Sequence, residues 1–387
     1  MTVKLLIKTI FAMLKKDIMK VLFQSRANLY AAPGGDLVQM EKTKEFLEKQ
    51  GIRVDISLES APNLDGYDLV HLFNLMEPQD IYLQMVNAKK QGKKIVLSTI
   101  YGLYTEFERK ARGGLFQKIA NILSPYQIGY IKTIIKYVAE KRMHSGVYKM
   151  LYKGYYGMMK EIVDNTSVFL PNSESEMLRV AKEFGLKNHQ YVSVPNAIDK
   201  EVFGNDNQKV SDKFSEFRDC IICAARIEGR KSTLNLVRAV KGSPYKLVLV
   251  GKESANQKAY VEQVHSEAGD NVYFLGTMPH AELRGLYSVA RVHALVSWME
   301  TPGLSSLEAG AMDCNIVVTK KGDTYDYFGD YAFYCEPDNV ASIRSAIDRA
   351  FASKVDPGLK KRILENYTWE KTADETIKGY QKAISSK

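Results

Sequence analysis

Two acidic residues flank a tight turn in residues 297–310 of the 387-residue chain, which read SWMETPGLSSLEAG. Glu300 precedes a Pro-Gly step, and Glu308 lies about one turn into the helical pattern that follows. Gly303 lets the backbone approach a ligand closely, and the first amides of a helix have no acceptor within it. Such amides attract an anion such as phosphate, while carboxylates on either side can accept hydrogen bonds from hydroxyl groups. The amides expected to be free are those of Leu304, Ser305 and Ser306.

Two cations follow a second predicted strand. The segment CAARIEGRKSTLNLV ends its strand at Arg226, turns through Gly229 and begins a helix at Lys231. An Arg and a Lys beside free helix amides suit a phosphate, although a solvated loop is the alternative. Taken singly, each acid is equally explained as a helix-dipole or loop charge. The four charged residues together are better explained as one nucleotide-sugar site, with Glu308 on the ribose hydroxyls and Glu300 on the sugar.

These turns belong to a longer pattern in which short β-branched runs alternate with amphipathic helical patterns, which is typical of parallel α/β sheets. A chain of 387 residues exceeds the roughly 250–300 residues of a single core, so two domains are expected. The expected strands are residues 20–23, 53–57, 68–73, 94–99, 167–171 and 191–195 in the first half, and 220–225, 246–251, 271–276, 292–297 and 315–319 in the second.

We therefore expect two doubly wound, Rossmann-like domains, residues 19–205 and 206–365, which face a central cleft of the kind in which open α/β sheets bind ligands. Residues 366–387 are expected to form a helix that returns to the first domain. Residues 1–18 have the pattern of a basic amphipathic helix. It is interpreted as a helix on an anionic bilayer, as a helix packed on the domain, or as a segment upstream of a true start at Met19.

The composition narrows the class of protein. A hydrophobic share of 45% and a charged share of 26% are those of a soluble globular protein, and no run approaches the roughly 18 apolar residues of a membrane span. Four scattered cysteines without a secretory signal favour the reducing cytosol. The CxxC pair lacks a partner pair at zinc-ligand distance, which favours buried strand positions over metal or redox chemistry. The cysteines are Cys220, Cys223, Cys314 and Cys335.

Nearly the whole net charge of +9 lies in residues 106–160, which hold eleven Lys and Arg against three Glu. The wider segment 101–160 is also rich in Tyr, on mostly helical patterns. Basic aromatic helices suit an anionic membrane surface that carries a lipid-linked acceptor, while a solvated basic face and another partner are the alternatives. Nucleic acid is not expected, because no base-reading motif accompanies the charge.

The second half of the chain resembles the retaining glycosyltransferases of family 4, which have the GT-B fold. The donor signature of that family is two Glu with seven residues between them and a Gly-Leu step, here Gly303 and Leu304. Its phosphate pair is an Arg and a Lys five residues apart after the first strand of the second domain, here Arg226 and Lys231. The likeness extends over roughly residues 19–385 and includes AAPGGD, LPNSESE, VPNAID and YTWEKTADETIKGYQ.

The resemblance implies a role for each matching residue. Glu300, Arg226 and Lys231 would be the catalytic group, and His71 and Tyr101 are candidates on the acceptor side. From the first domain, the Gly-Gly step of AAPGGD would approach the phosphates, and two glycines at strand ends would lie beside the base. The implied donor-binding residues are Gly34, Gly35, Arg226, Lys231, Gly251, Gly276, Glu300, Gly303, Leu304, Ser305 and Glu308.

The implied reaction is transfer of a hexosyl group from a UDP-sugar or GDP-sugar to a hydroxyl of a glycan or lipid-linked acceptor, with retention at the anomeric carbon. Fixed Arg, Lys and helix amides would stabilise the departing diphosphate, so no metal or other cofactor is expected. The expected setting is cell-surface polysaccharide or glycolipid synthesis, in the cytoplasm or at the cytosolic face of a membrane. The alternatives are another GT-B enzyme, such as a nucleotide-sugar epimerase or a glucan synthase, and a non-catalytic nucleotide-sugar-binding scaffold.

Overall fold

The computed structural model describes residues 18–111, 114–204 and 212–386, so the leader expected at residues 1–18 lies outside it except for Ile18. The first sheet has five parallel strands in the order β2-β1-β3-β4-β5. Its central strand β3 is buried at every position, as expected where helices cover both faces of a parallel sheet. The strands are β1 (Lys20–Gln24), β2 (Arg53–Ile56), β3 (Leu69–Phe73), β4 (Lys94–Ser98) and β5 (Val168–Phe169).

The described residues of the basic Tyr-rich segment, 101–111 and 114–160, are mostly helical and lie between β4 and β5. Its longest helix, α5, begins with a capping box in which the side chains of Ser124 and Gln127 each accept from the other's backbone amide, with Pro125 in the first turn. The described helices of the first domain are α1 (Gly35–Lys49), α2 (Pro78–Lys90), α3 (Thr105–Lys110), α4 (Gly114–Ile122), α5 (Pro125–Ala139), α6 (Ser145–Lys153), α7 (Tyr155–Asp164), α8 (Glu174–Phe184) and α9 (Lys200–Phe203).

The second sheet has six parallel strands in the order β11-β10-β9-β6-β7-β8. Its strands are β6 (Ile221–Ala224), β7 (Leu247–Val250), β8 (Val272–Gly276), β9 (Val292–Leu295), β10 (Asn315–Thr319) and β11 (Ala332–Cys335). Its helices are α10 (Thr233–Val240), α11 (Lys258–Glu267), α12 (His280–Tyr287), α13 (Leu304–Ala311), α14 (Thr324–Phe328), α15 (Val340–Ala352) and α16 (Pro357–Asn366).

The last helix, α17 (Trp369–Ser385), leaves the second domain and packs against α1, β4 and β5 of the first. The two domains also touch directly. Lys321 forms a salt bridge of 3.0 Å with Glu106, and Arg179 donates to Asp323 at 2.5 Å. These contacts join the first domain to the loop between β10 and α14, which lies beside the cleft described below.

The expected fold class, two Rossmann-like parallel sheets, is confirmed, but two strand assignments are wrong. Residues 191–195 form only an isolated bridge between Tyr191 and Phe169. Pro171 and Pro195 have no N–H, so a regular ladder cannot continue there. The prediction also missed β11, a four-residue strand at the edge of the second sheet.

Candidate functional site

A cavity of about 830 Å³ lies between the two domains, beyond the carboxyl ends of β1, β3, β6 and β9. Ligands of open parallel sheets bind at this edge, because the strand-to-helix turns gather there. Nine of the predicted donor-binding residues line it. They are Gly34, Gly35, Arg226, Lys231, Glu300, Gly303, Leu304, Ser305 and Glu308.

Lys231 and Glu300 form a salt bridge on the second-domain wall of the cavity. Both side chains are largely buried. Burial lowers the pKa of the Lys231 ammonium, but the charge of Glu300, its hydrogen bond to Lys231 and the nearby Tyr104 together outweigh burial, so the net direction is upward. Lys231 therefore stays charged at neutral pH. It can bind an anionic group of a ligand that competes with the Glu300 carboxylate for the ammonium.

Backbone hydrogen bonds between neighbouring turns set the geometry of this pair. The amide of Trp298 donates to the carbonyl of Arg230 at 2.9 Å, which ties the Lys231 turn to the segment that carries Glu300. The carbonyl of Glu300 accepts from the amide of Asp323 at 2.9 Å. Gly322 has a φ of +83°, and a Cβ there would lie 2.2 Å from the Glu300 carbonyl oxygen, so only glycine fits the approach.

The start of α13 forms an open cradle, as its sequence predicts, with one correction. Gly303 has a φ of +87°, and a Cβ there would lie 3.6 Å from the nearer Glu300 carboxylate oxygen. In the described part of the chain, the amides of Leu304 and Ser305 have no hydrogen-bond acceptor. The amide of Ser306 donates to the Gly303 carbonyl at 2.9 Å, so it is not free as expected.

Glu308 lies one turn into α13, with its carboxyl group buried at the edge of the cavity. The hydroxyl of Tyr287 donates to it at 3.3 Å. Burial raises the pKa of Glu308 to about 8, and the hydrogen bond from Tyr287 only partly opposes this. Among the residues that the structure describes, no cation pairs with this buried carboxyl, which suits it to hydroxyl groups that a ligand brings.

On the first-domain wall of the cavity, Arg26 is the central residue and lies two positions after the end of β1. Its guanidinium donates two hydrogen bonds to the Asp36 carboxylate, at 2.7 and 3.0 Å, and a third to the Ala32 carbonyl at 2.8 Å. Burial raises the pKa of Asp36, but the hydrogen bond and charge of Arg26 outweigh it and lower that pKa below its ordinary value. Across the cavity, Arg226 donates to the Pro33 carbonyl at 2.7 Å, so the turn that carries Gly34 meets the opposite domain.

Four predicted residues lie away from the cavity, and the structure corrects their placement. Gly251 packs on the backbone of Ala225, and Gly276 is the last residue of β8 and does not line the cavity. His71 is buried in β3, where its ring nitrogens lie 2.8 and 2.9 Å from the hydroxyls of Tyr380 and Ser98, and burial lowers its pKa to about 3. It is a core histidine.

Tyr101 is also buried and lies outside the lining of the cavity. Its hydroxyl is 2.7 Å from that of Tyr126, and burial raises its pKa to about 12. Tyr101 therefore anchors α5 to the end of β4 and does not present a group to a ligand.

Sequence reasoning missed several lining residues. Arg26 and Asn74 each follow a strand of the first sheet, a position that points to the ligand edge. Arg230 immediately precedes Lys231, so the sequence shows its charge. The sequence does not show that its guanidinium lies 4.6 Å from the ring centroid of Tyr104 and lines the cavity. Nothing local marks Glu77 and Lys136, which meet through the tertiary fold.

The cavity thus offers cations, free amides and carboxyl groups in one place. Within residues 18–111, 114–204 and 212–386, no group of three or more His, Cys, Asp or Glu side chains could hold a metal ion. Cys223 is buried in β6, where burial raises its pKa to about 12. No helix in these ranges is long and apolar enough to cross a bilayer.

The second domain matches a known family. Residues 205–368 match Glycosyl transferases group 1. An uncharacterized glycosyltransferase of Methanocaldococcus jannaschii, MJ1607, is 28% identical over 177 residues, which are 42% of this chain and 45% of that protein. The match thus spans less than half of the relative's length.

Solved structures support the fold over most of the chain. Sucrose-phosphate synthase of Thermosynechococcus elongatus superposes with a TM-score of 0.70 at 16% identity, covering 95% of this chain and all of that one. HepE of Anabaena in complex with UDP-glucose superposes with a TM-score of 0.65 at 13% identity, covering 94% of this chain and 99% of that one. The architecture is therefore that of GT-B glycosyltransferases.

Proposed function

Because residues 205–368 form a Glycosyl transferases group 1 domain, we propose that the protein is a glycosyltransferase whose cavity binds a nucleoside diphosphate sugar. The observation that carries the proposal is the arrangement along the second-domain wall. Glu308 lies one turn into α13, and the free amides belong to the first turn of that helix. Gly303, just before the helix, lies beside the Glu300 carboxylate that pairs with Lys231. A ribose, a diphosphate and a sugar have the same order of chemical groups.

The donor is proposed to be a uridine or guanosine diphosphate hexose. Glu308 accepts from the ribose hydroxyls, Lys231 and Arg226 hold the diphosphate, and Glu300 accepts from hydroxyls of the sugar. The HepE structures, with UDP, with UDP and glucose, and with UDP-glucose, support the uridine donor by analogy.

The proposed reaction retains the configuration at the anomeric carbon, as in family 4. The acceptor oxygen forms a bond to the anomeric carbon while the bond from that carbon to the diphosphate oxygen breaks. The electron pair leaves with the diphosphate, which takes the proton of the acceptor hydroxyl. The cations and the α13 amides are fixed where negative charge grows, so they stabilise the transition state more than the ground state.

The acceptor is proposed to be a glycan or a lipid-linked sugar in cell-surface polysaccharide or glycolipid synthesis, reached from a membrane surface. An exposed surface on α5, α6 and the loop that joins them, which we call the basic–apolar face, supports this setting. The Tyr130 hydroxyl donates to the Leu151 carbonyl, so the two helices lie side by side. Exposed apolar and aromatic side chains beside exposed cations suit an anionic bilayer. The face comprises Ile131, Ile135, Val138, Lys141, Arg142, Tyr148, Leu151 and Tyr152.

A ligand screen tests the donor assignment. Thermal unfolding is measured with UDP, GDP and their hexose conjugates, with uridine and UMP as controls that lack the diphosphate, and donor hydrolysis is followed in parallel. We expect one diphosphate series to raise the unfolding temperature, because a ligand that binds only the native state stabilises it. Binding with no hydrolysis and no transfer would favour the non-catalytic scaffold, and no shift with any nucleotide would refute the donor site.

A further inference from the structure

A second, smaller cavity, which we call the annex, opens beside the large one. Its volume is about 280 Å³, near the lower end of the roughly 300–1,000 Å³ of small-molecule sites, so it has room for one small unit of a ligand. It shares the side chains of Glu77, Tyr104 and Lys136 with the large cavity. A molecule in the annex would therefore lie next to a donor in the cleft.

Helix α5 forms one wall of the annex and, on its other side, part of the basic–apolar face. Ile128, Lys132 and Lys136 recur at helical spacing and line the annex. Ile131 and Ile135, which lie between them in sequence, are exposed. One helix thus separates the annex from the proposed membrane-facing surface.

The lining of the annex contains both apolar and polar side chains. Met76, Leu103 and Ile128 are among the apolar ones. Of the polar ones, Glu77 accepts from the Gln79 side-chain amide at 2.7 Å through Oε2. In the described part of the chain, no donor reaches its Oε1. A sugar ring offers partners for both kinds of side chain, with C–H groups on its faces and hydroxyl groups around its edge.

Tyr104 connects the annex to the cations that would hold the diphosphate. Its ring carries the Arg230 guanidinium at 4.6 Å from the centroid, and Arg230 immediately precedes Lys231. The annex therefore meets the large cavity near the bond that transfer would break.

We propose that the annex binds one sugar ring at the hydroxyl-bearing end of the acceptor. Glu77 accepts a hydrogen bond from a ring hydroxyl through Oε1, and Lys136 donates to a neighbouring hydroxyl. This inference rests on the proposed glycosyltransferase function. Glu77 is an acceptor-binding residue here, and the attacking hydroxyl gives its proton to the diphosphate as described above.

The test measures binding of a sugar ring directly, by saturation-transfer NMR with the methyl glycosides of glucose, galactose and mannose. Glu77→Gln removes the carboxylate charge but keeps the shape. Gly129→Leu fills the annex, since a Cβ at Gly129 already lies 3.3 Å from the Tyr155 ring. The matched control is Gly157→Leu on α7, where a Cβ meets nothing within 4 Å. Circular dichroism and thermal unfolding check that each variant is folded, and nucleoside diphosphate affinity is measured separately by calorimetry.

We expect at least one glycoside to bind the wild type and the Gly157→Leu control. Binding should weaken about tenfold in Glu77→Gln, because a hydrogen bond to a charged group is lost. It should disappear in Gly129→Leu, because the leucine side chain fills the annex. No binding of any glycoside to the wild type, or binding as strong as the wild type in both annex variants, would overturn the annex assignment. Failure of the donor proposal has a separate signature, because it would abolish nucleotide binding while leaving glycoside binding sensitive to Gly129→Leu.

Discussion

The two walls of the cavity are built in different ways. On the second-domain wall, Lys231, Glu300 and Glu308 come from two strand-to-helix turns that share backbone hydrogen bonds. On the first-domain wall, Arg26, Glu77 and Lys136 come from three segments separated by about fifty residues each. The first arrangement fixes a ligand by local backbone geometry, while the second depends on how a long helical insertion packs. We infer that the two walls bind different substrates.

Lys231→Ala should produce the largest effect on the donor wall. It removes the cation proposed to pair with the diphosphate, and truncating one partner of a buried, hydrogen-bonded charge pair between a protein and its ligand typically costs about 2–5 kcal/mol of binding free energy. Affinity for the nucleoside diphosphate should fall at least about thirtyfold in calorimetry. Lys252→Ala, on an exposed loop of the same domain, is the matched control. Unchanged affinity in Lys231→Ala would remove the phosphate assignment.

Removing positive charge from the basic–apolar face should weaken membrane binding, which is measured in a different assay. Lys141→Gln with Arg142→Gln should weaken co-sedimentation with anionic vesicles about thirtyfold, since each basic residue near such a surface contributes about 1 kcal/mol. Nucleotide affinity should not change. The control makes the same charge change at the exposed Lys252 and Lys354 of the second domain. Equal effects of the two pairs would show that net charge, not this face, governs membrane binding.

Glu308→Gln should move stability and affinity in opposite directions. The pKa of Glu308 is raised from 4.5 to about 8, so the folded state holds a proton there that the unfolded state releases. The wild type therefore loses stability as pH rises from about 4.5 to 8, whereas the variant lacks this loss.

At pH 8 the variant should be more stable by roughly 1–3 kcal/mol, the typical cost of burying an uncompensated polar group. Its affinity for the nucleoside diphosphate, measured at pH 9 where the wild-type carboxyl is ionised, should fall about tenfold, because the amide is a weaker acceptor than the carboxylate for the ribose hydroxyls. Denaturant unfolding at pH 5, 6.5 and 8 measures the first effect. The same pH slope in both proteins would show that Glu308 is ionised in the folded state.

The same contrast explains what could be predicted from the sequence. Strand periodicity and the turn residues near Gly303 are local signals, so they gave the two-sheet fold and most of the residues on the second-domain wall. His71 was misplaced because its neighbours in sequence do not show that Tyr380, more than three hundred residues away, closes over it. Glu77 was missed for the complementary reason, because only the packing of α5 brings Lys136 beside it.

The most direct test of the donor layout measures two affinities in two variants. Calorimetry with UDP and UDP-glucose, or with the guanosine pair if the screen selects it, is carried out on Glu300→Gln and Glu308→Gln. We expect Glu308→Gln to weaken both ligands by the same factor, because both carry the ribose. Glu300→Gln should weaken only the sugar conjugate, by about tenfold, and leave the diphosphate within about threefold of wild type. Equal weakening of both ligands by Glu300→Gln would contradict the assignment of Glu300 to the sugar.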